Sequence, residues 1–214
     1  MTQPIIQGKL TAPPLPAGYL PRPRLEARWD DWGGRRLVLV TAGAGSGKTS
    51  LLSAVTAICH RPVFWYTLDE MDADPVVLRD YLLFAVSAGK LRATGKTDHD
   101  LAEIVRCLRE CDKGTVVILD DLQLAAGSPE TFIFLERLAR YLPQGHTLIL
   151  SSREPLDLAT MKLRTQGVVA ELRATDLAFS PGEVAALFSA RFDGAPMDND
   201  LAAVVVEKTE GWAA

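Results

Sequence analysis

Five stretches of this chain are apolar for most of their length and favour β-branched residues: 36–40, 63–68, 115–121, 147–153 and 168–172. Each reads as a strand. Between them, apolar residues return at helical spacing. Thr49 to Cys59, Asp74-Pro75 to about Lys90, and Ser128-Pro129-Glu130 through Tyr141 read as helices, and from Asp100 to Glu110 the residues Leu101, Ile104, Val105 and Leu108 share one face. Asp or Ser followed by Pro suits a helix start, because the cap side chain accepts a free N–H and proline has none to satisfy. Strands alternating with helices, several of them apolar on both faces, predict an α/β fold with a mostly parallel five-stranded sheet between helices.

The two ends differ from this middle. Six prolines fall within residues 4–23, which predicts an extended arm that must lie on something to be ordered. Leu25 to Trp32 reads as a short helix before the Gly33-Gly34 turn. At the other end, Ser180-Pro181-Gly182-Glu183 matches a capping box, and Leu201 to Glu207 reads as a second helix stopping near Gly211. The expected division is an arm over 1–32, an α/β domain over 33–174 and a small helical subdomain over 175–214.

Composition narrows the partners. The 214 residues carry a net charge of −4 with no clustering of Lys and Arg, so direct nucleic-acid binding is not expected. Cys59, Cys107 and Cys111 stand in no metal-ligand spacing with the three histidines, which fits a reducing, cytoplasmic setting. The start lacks the basic and apolar regions of a signal peptide, and no apolar run reaches membrane-spanning length. A soluble protein is expected.

Thr41-Ala42-Gly43-Ala44-Gly45-Ser46-Gly47-Lys48-Thr49 joins the first strand to the first long helix and reads as a phosphate-binding loop, the Walker A pattern of P-loop NTPases. Glycines let backbone N–H groups turn around an anion, the following helix offers free N–H groups, and Lys48 adds a full charge. Gly43, Ala44, Gly45, Ser46, Gly47, Lys48, Thr49 and Ser50 are therefore the expected phosphate-binding residues, with Thr49 a ligand to Mg²⁺. Ala42 stands where the G-x-x-x-x-G-K-[ST] pattern has its first glycine. Asp120 and Asp121 close an apolar strand, where an NTPase holds Mg²⁺; Asp120 is assigned to the metal and Asp121 to the attacking water. Arg153 ends the strand expected between these two and is assigned as a γ-phosphate sensor, a surface ion pair being the alternative. Trp65 and Tyr66 read as core, the acidic turn 69–74 as solvated, and Cys107 and Cys111 as small apolar residues.

Taken together, several segments resemble the signal-transduction ATPases with numerous domains, and within them the MalT-like and large ATP-binding LuxR-type transcriptional regulators. They are Lys9-Leu10, Arg22-Pro23-Arg24-Leu25, the phosphate loop, Trp65-Tyr66-Thr67-Leu68-Asp69-Glu70 with Asp72 and Asp74-Pro75, Leu119-Asp120-Asp121, Ser152-Arg153, Leu177-Ala178-Phe179-Ser180 and Gly211-Trp212-Ala213-Ala214. The resemblance implies an ATP-dependent switch using ATP, ADP and Mg²⁺. ATP would favour self-association and ADP a resting monomer, with Arg22 and Arg24 near the adenine. It also implies that sensing and DNA-binding parts lie beyond Ala214. Relatives in the wider class carry a Gly-x-Pro element where this chain has Gly211-Trp212-Ala213. Two other readings remain open on the residues alone: a P-loop kinase acting on a small molecule, and a nucleotide-binding scaffold that does not hydrolyse.

Overall fold

The computed structural model describes residues 4–111 and 113–212. All five apolar runs are strands: β1 (Leu37–Thr41), β2 (Val63–Thr67), β3 (Val116–Asp120), β4 (Thr147–Ser152) and β5 (Val169–Arg173). They form one sheet in the order β2-β3-β4-β1-β5, and every pairing is parallel. The chain crosses over between strands through helices, as parallel neighbours require. Two short helices, α1 (Pro23–Glu26) and α2 (Trp29–Trp32), precede β1; then follow α3 (Lys48–Ile58), α4 (Pro75–Val86), α5 (Thr97–Arg109), α6 (Pro129–Tyr141) and α7 (Met161–Thr165).

Alternation along each strand builds two cores. Leu37 and Leu39 of β1, Val117 and Leu119 of β3 and Leu148 and Leu150 of β4 face α4, α5 and α6. Their neighbours Val38, Val40, Ile118 and Ile149 face Leu51, Leu52 and Val55 of α3, with Leu25 and Trp32. Trp65 and Tyr66 are buried on opposite faces, as core residues.

The differences from expectation are local. Residues 25–32 make two short helices rather than one. Helix α4 stops at Val86 instead of reaching Lys90, because Ala88 and Gly89 turn left-handed and the Gly89 N–H caps the Phe84 carbonyl at 2.8 Å. The acidic turn is solvated at Glu70 and Asp74 as expected, but not at Asp72. Asp72 is fully buried, accepts from the Asp69 N–H at 2.7 Å and takes the Lys9 ammonium at 2.7 Å, while Asp69 takes it at 2.8 Å. Burial works against the Lys9 charge, but the hydrogen bonds and charges of the two aspartates outweigh it and hold its pKa above the ordinary value. The proline-rich arm is thereby fastened to the sheet, and its Ile6 N–H also donates to the Tyr81 hydroxyl at 3.1 Å. It is not wholly extended, since Gln7–Leu10 forms a 3₁₀ turn.

After β5 come α8 (Ala174–Leu177), α9 (Pro181–Arg191) and α10 (Asn199–Thr209). The Ser180 hydroxyl and Glu183 carboxylate form the expected capping box. Within α9 and α10, Ala202 alone among the described residues is buried.

Candidate nucleotide site

The loop between β1 and α3 has the shape its residues allow. Gly45 and Gly47 have φ of 73° and 81°, a backbone conformation that side chains disfavour. Ala42 is 3% exposed and packs with Val40, Leu51 and Leu172, so its methyl group is part of the core and the missing glycine costs the loop nothing visible. Lys48, 7% exposed, curls back so that Nζ donates to the Ala42 carbonyl at 2.6 Å and the Gly43 carbonyl at 3.0 Å. Burial pushes its pKa down, with Asp120 and Asp121 opposing. An ammonium bonded only to carbonyls can exchange them for an anionic oxygen, which makes the stronger hydrogen bond. Thr49 and Ser50 lie on the first turn of α3, beside the loop.

Strand β3 carries Asp120 to the same edge, two strands from β1. Its carboxylate is 1% exposed, accepts from the Thr49 hydroxyl at 2.7 Å and from the Asp121 N–H at 3.1 Å, and has no cationic side chain in contact among the described residues. A buried carboxylate is costly unless its charge is met. A hydroxyl and a carboxylate are hard oxygen donors of the kind Mg²⁺ takes alongside phosphate oxygens and water, so the residues present fit that ion. Among the described residues no group of three or more His, Cys, Asp or Glu forms an all-protein metal cage.

Asp121 follows with φ of 58°, left-handed for a residue with a side chain. Arg153 stands beyond the end of β4, which lies between β1 and β3 as expected, and its Nε is 3.5 Å from Asp121 Oδ1. Gln123 joins them: its Nε2 donates to Asp121 Oδ1 at 2.8 Å, and its Oε1 accepts from the Arg153 N–H at 3.0 Å. The sequence reading missed this residue. Its one available signal was a lone amide between Leu122 and Leu124, directly after the acidic pair.

Arg22 and Arg24 face the C-terminal helices. The Arg22 guanidinium, 4% exposed overall, donates to the Leu177 and Ala178 carbonyls at 2.7 and 2.9 Å and to both Glu183 oxygens at 3.1 Å, and it lies 4.2 Å from the Phe179 ring centroid. Arg24 donates to the Asp176 and Ala178 carbonyls and to Glu183. Burial pushes the Glu183 pKa up, but hydrogen bonds from Arg22 and the Ser180 N–H, with the charges of Arg22 and Arg24, outweigh it and hold it at about 2. Across from this clasp the Trp212 indole N–H donates to the Ala44 carbonyl at 3.0 Å, and Trp212 lines a cavity of about 190 Å³ with the loop, Leu177 and Gly211. Ala213 and Ala214 of the expected C-terminal element lie outside the described residues.

A parallel sheet in this order, with the loop after β1 and a buried carboxylate at the end of β3, makes the chain a P-loop NTPase in fold. The solved structures it resembles agree. It superposes on a signal-transduction ATPase with numerous domains from Pyrococcus horikoshii with a TM-score of 0.55, at 17% identity over 94% of this chain and 29% of that one. It superposes on the ORC1 protein of Aeropyrum pernix, solved in complex with DNA, with a TM-score of 0.56, at 14% identity over 90% of this chain and 56% of that one. At these identities the likeness concerns the fold alone. In sequence the chain is similar to the HTH-type transcriptional regulator MalT, at 28% identity to that of Yersinia enterocolitica and 29% to that of Serratia proteamaculans, in each case over 98% of this chain and 24% of the relative. The chain thus spans about a quarter of the length of the curated relatives it matches. No family model matches the chain. The MalT-like, STAND-type resemblance read from the motifs is borne out. Among the described residues, no helix is long and apolar enough to cross a membrane.

Proposed function

We propose that this chain is the ATP-binding, slowly hydrolysing switch module of a multidomain transcriptional regulator. The observation that carries the reading is the convergence of Lys48, Thr49 and Asp120 at one sheet edge, with the Thr49 hydroxyl 2.7 Å from the Asp120 carboxylate. Lys48 and the loop N–H groups would hold the phosphates, and Thr49 and Asp120 a Mg²⁺ that neutralises charge on them. Asp121 would orient water, and Arg153 would meet the γ-phosphate. Slow turnover follows from what surrounds them. Arg153 is half exposed, and phosphoryl transfer depends on positioning within a dry site. The similarity to MalT supports the regulatory role, and the acidic charge supports placing DNA recognition outside these residues.

Single-turnover cleavage of labelled ATP, with equilibrium binding measured alongside, tests this. The isolated chain should cleave well below the roughly 1–100 s⁻¹ typical of kinases. Asp120→Asn should weaken Mg²⁺-dependent binding, whereas Asp121→Asn should leave ATP bound but slow its cleavage. Two variants that bind and cleave like wild type would remove the assignment; fast turnover with a small-molecule acceptor would favour a kinase.

A further inference from the structure

We infer that Gln123 is a positioning residue of this site, tying the Asp121 carboxylate to the end of β4 so that Asp121 and Arg153 act in one geometry. The inference rests on the ATPase reading and goes beyond it, since no motif singles Gln123 out. Its amide is engaged at both ends, donating to Asp121 Oδ1 at 2.8 Å and accepting from the Arg153 N–H at 3.0 Å. Chemistry fixes which way round it lies. Reversed, the amide NH₂ would face a backbone N–H and its carbonyl a carboxylate, and both contacts would be lost.

The alternatives for holding Asp121 are weak. Its side chain makes no capping bond to its own turn, and its backbone sits at φ of 58°, a left-handed conformation uncommon for a residue with a side chain though one that Asp tolerates better than most. Arg153 is 52% exposed and its Nε stands 3.5 Å from Asp121, an ion pair worth little in water. The half-buried amide is the shorter contact. It also joins two strand ends: Asp121 follows β3 and Arg153 follows β4, and those strands are hydrogen-bonded neighbours. Loss of the amide would therefore free the Asp121 carboxylate from the end of β4. Misplacement of a reacting group by about 1 Å can cost a hundredfold in rate.

The experiment uses the 214-residue chain and compares wild type, Gln123→Ala, Gln123→Glu, Asp121→Asn and the double variant Gln123→Ala/Asp121→Asn. Single-turnover cleavage of Mg²⁺-ATP and equilibrium ATP affinity are measured for each, with thermal melting to confirm the fold. Gln123→Ala should lower the cleavage rate by about tenfold to a hundredfold while affinity stays within about twofold. Gln123→Glu, nearly the same size, keeps an acceptor for the Arg153 N–H but sets a second carboxylate against Asp121, and should fall at least as far. In the Asp121→Asn background, Gln123→Ala should add little, because its effect runs through Asp121. Wild-type cleavage in either folded Gln123 variant overturns the inference, and so do losses that multiply in the double variant. A wild-type chain that cleaves no ATP overturns the ATPase reading and this inference together, whereas normal wild-type cleavage with unaffected Gln123 variants overturns the inference alone.

Discussion

Replacing Arg22 with Ala should free the C-terminal helices without unfolding the sheet. Arg22 donates to the Leu177 and Ala178 carbonyls at the end of α8 and to both oxygens of Glu183, so its removal takes away most of the arm's hold on α9 and leaves Arg24 to hold Glu183. Removing one partner of a buried ion pair costs about 3–5 kcal/mol. Here the Glu183 side chain keeps some contact with water and Arg24 remains 3.3 Å away to meet its charge, so about 2 kcal/mol is the better figure. That corresponds to about a 30-fold rise in the opening equilibrium. The loss should be local because α9 and α10 bury almost nothing of their own, with Phe192, Leu201 and Val204 exposed. Hydrogen–deuterium exchange reads this directly: α9 and α10 amides should lose protection by that factor while β1, β3 and β4 keep theirs. Unchanged protection in α9 and α10, or a loss spread evenly over the sheet, would refute the reasoning.

The same clasp should respond to acid. Glu183 titrates near 2 in the fold against an ordinary 4.5, so its stabilising contribution is complete above about 4.5 and is lost as pH falls towards 2; protection of α9 should decline across that window, and Glu183→Gln should flatten the decline. At the opposite edge of the sheet, Arg61 donates to the carbonyls of Gly33, Gly114, Thr115 and Gly145 and to the Thr147 hydroxyl, with no carboxylate in contact among the described residues. Arg61→Ala should lower the unfolding free energy in urea by roughly 2–4 kcal/mol, and a change under about 1 kcal/mol would mean that these carbonyls find water instead.

What the sequence made legible follows from what was local. Strands buried on both faces are apolar for most of their length, which is why β1, β3 and β4 could be read directly, and why β5, at the sheet edge and half exposed, was the faintest. The Asp74, Ser128 and Ser180 caps could be read because a cap and the N–H it satisfies lie within three residues. The loop between β1 and α3 and the carboxylate of Asp120 at the end of β3 could be placed for the same reason, each being a short pattern at a strand end. Helices of four or five residues, such as α1, α2 and α7, are too short to show a period. Lys9 with Asp72, Arg22 with Glu183, and Gln123 with Arg153 depend on how the topology brings distant segments together. Burial of Asp72 was missed because an acidic turn is ordinarily solvated unless a cation comes to it, and that cation arrives from 63 residues earlier.

The central claim is that the loop around Lys48 binds the phosphates of ATP with Mg²⁺. Titration calorimetry of the chain with Mg²⁺-ATP and with ADP, on wild type and on Lys48→Ala, tests it most directly. Lys48 bonds only to loop carbonyls, so the variant should melt like wild type. Saturable one-site binding by wild type and no measurable binding by Lys48→Ala is the predicted result; a folded variant that binds either nucleotide as tightly as wild type would contradict the account.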